Sequence, residues 1–109
     1  MSLTSKERKI LEDNGFRVHK YQDGYVELEQ WTDGGVDMII SYDSKKQTAY
    51  EGLGDYLFSF DIDEEIDLYR QDEKYKNDFS ITQSVRDFTD WQELVEKTRT
   101  ELAKKAYSK

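Results

Sequence analysis

The chain has 109 residues, with 24 acidic and 16 basic side chains, a net charge of -8, and neither cysteine nor proline. This length corresponds to a single domain spanning residues 1–109, because single hydrophobic cores commonly serve roughly 100–150 residues. The absence of cysteine excludes disulfides, thiolate metal sites and cysteine nucleophiles. Eight tyrosines, five phenylalanines and two tryptophans supply enough large apolar side chains for us to expect a folded domain.

Composition also bears on location and on the class of partner. Small secreted domains usually rely on disulfides, so a chain without cysteine favours the cytoplasm. No apolar run approaches the roughly 20 residues of a membrane span, and the opening MSLTSKERKI has no hydrophobic stretch typical of a secretory signal. Nucleic-acid phosphates repel an acidic protein, so we do not expect direct binding to nucleic acid. Together these observations predict a cytoplasmic protein that does not bind membranes.

The N-terminal half of the chain predicts one helix followed by an antiparallel sheet. Thr4 and Glu7 have the spacing of a capping box, and Gly15 is placed to end that helix. Apolar and polar residues then alternate in three segments, 16–21, 25–31 and 36–42, which are separated by turns at Asp23-Gly24 and Asp33-Gly34-Gly35. The pattern predicts a meander of three or four strands with one apolar face and one polar face.

The remainder of the chain has helical spacing. Helix starts are predicted at four places: a short helix over residues 53–60 and caps at Asp61, Ser80 and Thr89. The cap at Thr89 would begin the longest helix, over residues 90–107. We therefore predict an α+β domain in which three or four helices after the meander pack mainly on one face of the sheet.

Negative charge is concentrated in residues 21–78, which carry sixteen acidic and five basic side chains, a net charge of -11. The densest cluster of acids consists of Asp61, Asp63, Glu64, Glu65 and Asp67. Clustered carboxylates suit Ca²⁺ or Mg²⁺, but Ile66 stands where an EF-hand loop requires glycine. Acids at the start of a helix are also stabilised by the helix dipole. We favour this second explanation, and expect no metal and no cofactor.

The polar face of the meander is the other candidate site. Tyr25, Glu27, Glu29 and Trp31 point to one side of their strand, and Asp37 joins them from the next strand. Large aromatic side chains are common anchors in protein interfaces. A late helix or a second subunit covering Trp31 and Tyr25 is the alternative. If this face is open, we expect it to bind a protein.

Catalytic motifs are absent from the sequence. The only histidine, His19, has candidate carboxylate partners on the adjacent strand but no serine in an obvious nucleophile elbow. The glycines at 34, 35, 52 and 54 match neither a dinucleotide fingerprint nor a P-loop. We predict that His19 is a solvated strand residue and that the protein is not an enzyme.

Three strings, YVELEQWTDGGVDMII (25–40), FDIDEEIDLYRQ (60–71) and SITQSVRDFTDW (80–91), resemble a group of small acidic proteins of bacterial mobile elements and phages. The resemblance covers nearly the whole chain and contains no catalytic motif. Small, acidic, cysteine-free proteins of such elements include anti-CRISPR and antirestriction inhibitors. The resemblance thus implies a family and not a mechanism, and it links this chain to such inhibitors by protein type and setting.

Three hypotheses about function follow. The first is a non-enzymatic inhibitor that presents a negative surface to a basic, nucleic-acid-binding enzyme. The second is a structural domain of a mobile element that forms a homodimer through its tyrosine-rich face, and the choice between monomer and homodimer stays open. The third is a metal-dependent or carboxylate-based enzyme that uses Asp61, Asp63, Glu64 and Glu65. We rank the interaction protein first.

Overall fold

A computed structural model describes residues 2–71 and 81–107. Within these ranges the elements follow in the order α1 (Ser5–Asp13), β1 (Arg17–Lys20), β2 (Tyr25–Trp31), β3 (Asp37–Asp43), α2 (Ala49–Ser59), α3 (Ile62–Gln71) and α4 (Ile81–Lys105). The strands form one antiparallel sheet in the order β1-β2-β3. The predicted α+β class, N-terminal helix and three-stranded meander are confirmed, and three described helices follow the sheet.

The register of the sheet separates its two faces. Val26 lies opposite Tyr42 and Leu28 opposite Ile40, and all four side chains are buried together with Met38. Helices cover this apolar face: α1 packs against β1, α2 packs against β3, and both helices pack against α4. Because side chains alternate along a strand, the residues between these buried ones form the opposite face.

Both hairpins use the same kind of loop. The Gly24 amide donates to the Tyr21 carbonyl at 3.1 Å, and the Gly35 amide donates to the Thr32 carbonyl at 3.0 Å. Each glycine has a positive φ, +95° and +88°, which residues with a Cβ rarely adopt. The predicted turns are confirmed, but the first loop places three residues between the paired Tyr21 and Tyr25, where the sequence predicted a two-residue turn.

The predicted capping box of α1 is confirmed, and its glutamate also joins distant elements. Glu7 is only 2% exposed. Its Oε1 accepts from the Thr4 amide at 2.9 Å, while its Oε2 accepts from the Ala49 amide and from the Tyr107 hydroxyl, each at 2.8 Å. The Tyr107 hydroxyl in turn accepts from the Tyr50 amide at 3.0 Å. One carboxylate therefore connects α1, the first turn of α2 and the residues that follow α4.

Helix α2 begins four residues earlier than the predicted segment 53–60. The Thr48 side chain accepts from the Glu51 amide at 3.1 Å, and the Glu51 side chain accepts from the Thr48 amide at 2.9 Å. This pair is a second complete capping box. The sequence contains its signature, a threonine followed three residues later by a glutamate, but the prediction did not use it.

The predicted helix start at Thr89 is wrong, because α4 runs continuously through this residue. Phe88 and Trp91 are 1% and 4% exposed and belong to the same buried cluster. The apolar face that begins before Thr89 thus continues beyond it, and burying that face favours one uninterrupted helix. The predicted cap at Ser80 lies outside the described residues.

Aromatic side chains connect the helices above the sheet. The indole nitrogen of Trp91 donates to the Tyr56 hydroxyl at 2.8 Å, which joins α4 to α2. The Trp91 ring also meets Phe16 edge to face, with ring centroids 5.6 Å apart. Phe60, just after α2, packs against Phe88 of α4. Such pairs add directional contacts to the burial of area and fix how the helices are oriented.

We expect Glu7→Ala to lower the free energy of unfolding by about 3 kcal/mol, because three donors lose an ionised acceptor in a largely buried setting. Glu12→Ala is the matched control on the same helix, since Glu12 forms an exposed pair with Arg8 at 3.5 Å. Its removal should cost at most about 0.5 kcal/mol. Urea denaturation measures both values. Equal losses would contradict a central role for the Glu7 carboxylate.

Candidate functional site

The uncovered side of the sheet, which we call the open face, carries all five predicted sheet residues. The pairing places Glu29 opposite Ile39 and Trp31 opposite Asp37. The open face is formed by the alternate residues Arg17, His19, Tyr25, Glu27, Glu29, Trp31, Asp37, Ile39, Ser41 and Asp43. The backbone pairing thus brings the predicted residues of β2 and β3 together on one surface.

Large apolar side chains on the open face are exposed. Trp31 is 56% exposed, Tyr25 47% and Ile39 46%. Trp31 lies opposite Asp37 and Ile39 lies opposite Glu29 in the next pair on the same face, so Trp31 and Ile39 are diagonal neighbours on adjacent strands. Among residues 2–71 and 81–107, no helix buries Trp31 or Tyr25, as the predicted alternative of a covering late helix would require.

The acids of β2 have partners on and beside β1. Glu29 Oε1 lies 3.2 Å from His19 Nε2 and 3.8 Å from Arg17 Nη1. The Tyr21 hydroxyl donates to Glu27 Oε2 at 3.3 Å, and the charge of Glu27 raises the pKa of Tyr21. Arg17 therefore offsets part of the charge of Glu29, and the His19 ring contacts the same carboxylate oxygen. His19 is exposed, in agreement with its prediction as a solvated strand residue.

Asp37 and Glu29 form a carboxyl pair across β2 and β3. Burial, followed by the hydrogen bond and charge of Glu29, raises the pKa of Asp37. The same hydrogen bond, followed by that of His19, lowers the pKa of Glu29. One oxygen of Asp37, Oδ1, is buried and has no hydrogen-bond partner among the described residues. A positive charge near Asp37 would therefore stabilise the ionised form of its carboxyl.

The predicted acids of α3 have a structural role at the start of that helix. Asp61 Oδ1 accepts from the amides of Asp63 at 2.9 Å and Glu64 at 3.3 Å, so Asp61 is the N-terminal cap. Glu65 is partly buried, and burial together with the charge of Glu64 raises its pKa. Asp67 is exposed on the next turn. Capping and the helix dipole account for acids at these positions.

These acids lie apart from the open face. Helix α3 packs against α4, and its Ile66 is buried in the core under the covered side of the sheet. The ten predicted site residues thus form two sets, one on the open face and one on the helical layer. Across residues 2–71 and 81–107, no three or more histidine or acidic side chains are grouped in a way that could hold a metal ion.

Sequence reasoning missed a further surface, a groove between α2 and α4 that contains Arg99. The signal that could have revealed it is the pair Gly52 and Gly54 inside a helix. Glycine is unfavourable in a helix interior, so its presence there indicates a close approach by another group. Gly52 faces the Tyr42 ring and Gly54 faces the Arg99 guanidinium.

No protein-family model, no curated protein and no solved structure matches this chain. The resemblance to proteins of mobile elements and phages stays a prediction. In the part of the chain that the structure describes, no helix combines the length and the apolar character needed to cross a bilayer.

We expect acrylamide to quench Trp31 much more strongly than Trp91, because Trp31 is 56% exposed and Trp91 only 4%. Fluorescence of the Trp91→Phe variant reports Trp31, and fluorescence of the Trp31→Phe variant reports Trp91. Circular dichroism confirms that each variant is folded. Equal quenching of the two variants would mean that the open face is covered in solution.

We expect Asp37→Asn to raise the melting temperature at pH 7. The raised pKa of Asp37 means that its ionised form is less favourable in the folded chain than in the unfolded chain. Asparagine avoids that cost and can still donate a hydrogen bond to Glu29. Below the ordinary pKa of an aspartate, the carboxyl is protonated in both states, so the advantage should disappear. Melting curves from pH 3 to pH 8 measure this, and a gain that persists at the lowest pH would contradict it.

Proposed function

We propose that this chain is a non-enzymatic interaction protein whose open face binds a basic surface of a partner protein. The observation that carries the proposal is the exposure of Trp31, Tyr25 and Ile39 beside the acids of the open face. Aromatic side chains bury a large area at a small cost in conformational entropy, which is why they anchor many interfaces. Glu27 and Asp37 lie on the same face as these side chains and add negative charge beside them.

The charge of the open face favours a basic partner. The open face carries one arginine, Arg17, and four carboxylates, on Glu27, Glu29, Asp37 and Asp43. A lysine or arginine of the partner near Asp37 would stabilise its ionised form, which lacks a donor for one buried oxygen. Complementary charge of this kind mainly accelerates association and makes it sensitive to salt.

An inhibitor of a nucleic-acid-binding enzyme is the form of this function that the sequence favours. Such an enzyme has a basic groove for phosphates, and a negative protein surface competes for the same groove. Support comes from the net charge of -11 over residues 21–78 and from the resemblance to small acidic proteins of phages and mobile elements. The acids of α3 add to the field that attracts a basic partner from a distance.

The alternative of a homodimer through the open face is less favourable on electrostatic grounds. A two-fold dimer brings the same surface of both copies together. The net negative charge of each open face would then oppose an identical charge, and juxtaposed like charges cost several kcal/mol in an interface. A basic partner has no such penalty.

Affinity capture with charge-reversed variants tests the proposal. The sheet variant combines Glu27→Lys with Glu29→Lys, and the matched control combines Asp63→Lys with Asp67→Lys on α3, which changes the net charge by the same amount. Each variant and the unaltered chain are incubated with a lysate of the natural host, washed at low and at high salt, and analysed by mass spectrometry.

We expect the unaltered chain and the α3 control to retain a basic protein at low salt, and the sheet variant to lose it. High salt should release that protein from the unaltered chain, because electrostatic attraction supplies much of the association. Equal losses in both variants would show that overall charge matters and the open face does not. Recovery of no basic protein at low salt would refute the proposal.

A further inference from the structure

Arg99 is held in a fixed position in the groove between α2 and α4. Its guanidinium carbon lies 3.9 Å from the centroid of the Tyr50 ring, and its Nε donates to the Tyr50 carbonyl at 3.2 Å. Stacking and this hydrogen bond restrict a side chain that is otherwise flexible. Arg99 is therefore already ordered before a ligand binds, so binding costs less conformational entropy of this side chain.

Gly54 provides the space for the Arg99 guanidinium. A Cβ at position 54 would lie 2.8 Å from Arg99 Nη2 and 2.9 Å from its Nε, which is closer than real Cβ atoms approach such groups. Alanine would be the better residue for the interior of α2, since glycine lowers helix stability. Gly54 therefore lowers the intrinsic stability of α2 but leaves the space that the Arg99 guanidinium occupies.

The outer nitrogens of Arg99 have no acidic partner among the described residues, although Nη2 packs against Gly54. Among the described residues, Arg99 forms no ion pair, and its hydrogen bond to the Tyr50 carbonyl uses Nε. Glu96 lines the same groove but does not pair with Arg99. A guanidinium with free Nη groups matches the two oxygens of a carboxylate, which accept parallel hydrogen bonds from it.

Apolar side chains lie beside this cation. Leu57 and Phe58 line the groove, and Phe58 is 95% exposed. The groove has a volume of about 670 Å³. Thr100 connects it to a neighbouring surface that carries Lys97, Lys104, Lys105 and Glu101, so positive charge predominates here in an otherwise acidic protein.

We propose that this groove binds an acidic peptide segment of a partner protein, in which a carboxylate pairs with Arg99 and a neighbouring apolar side chain contacts Leu57 and Phe58. This inference goes beyond the function proposed for the open face. The groove lies in the helical layer, away from the open face. It selects negatively charged ligands, whereas the open face selects basic ones. The protein thus has two binding surfaces that attract different partners.

A short blocked peptide, acetyl-Gly-Leu-Glu-Leu-Gly-amide, is the probe for this site, and the same peptide with glutamine in place of glutamate is its neutral control. Titration of each peptide into ¹⁵N-labelled full chain, followed by amide chemical shifts, gives the affinity and the location of binding. We expect shifts at α2 and α4 with the glutamate peptide, and affinity at least about tenfold weaker with the glutamine peptide.

Three variants separate the role of Arg99 from a general effect of charge. Arg99→Gln should weaken binding of the glutamate peptide by about tenfold or more, whereas Arg86→Gln, an exposed arginine on the same helix, should leave it unchanged. Gly54→Ala retains the positive charge but displaces the guanidinium, so it should weaken binding without lowering the melting temperature.

Several results would overturn the inference. These are equal affinity for the two peptides, equal losses in Arg99→Gln and Arg86→Gln, or shifts confined to the open face. Absence of any binding at millimolar peptide would do the same. Phenylacetate serves as a competing probe, and if it binds as tightly as the peptide, the groove is a site for small carboxylates and the peptide proposal is wrong.

Discussion

The carboxylate of Glu7 is the interaction on which the helical layer depends. An ionised carboxylate in the interior is unfavourable unless donors surround it, and Glu7 has the amides of Thr4 and Ala49 and the hydroxyl of Tyr107. These donors belong to three separate parts of the chain. Satisfying one buried carboxylate therefore requires α1, α2 and the residues after α4 to assemble together. Burial raises the pKa of Tyr107 to about 12, further above neutral pH than that of an ordinary tyrosine.

The arrangement of the helices decides which surfaces remain for binding. With α1, α2 and α4 gathered on the apolar side of the sheet, the opposite side keeps its aromatic and acidic residues in contact with solvent. The same assembly brings Arg99 of α4 over Gly54 of α2 and forms a groove with a fixed positive charge. The open face and the Arg99 groove are thus two results of one packing arrangement, and they carry charges of opposite sign.

Local patterns predicted much of the fold and one half of the candidate site. Strict alternation in β2 and β3 assigned Glu27, Glu29 and Trp31 to one face, because side chains along a strand repeat every second residue. The failures came where a local signal competes with packing. Thr89 has the sequence of a helix cap, yet burial of Phe88 beside Trp91 keeps α4 continuous, since the apolar stripe extends across the threonine.

The sequence by itself determined the short-range features: the capping boxes of α1 and α2, the glycine turns with positive φ, and the two faces of each strand. These depend on residues a few positions apart, whose geometry the backbone restricts directly. Only the tertiary structure decided that Glu7 bonds to Ala49 and Tyr107, 42 and 100 residues away, and that Arg99 stacks on Tyr50. Such contacts result from how whole elements pack, and no local periodicity specifies which distant donor meets a given carboxylate.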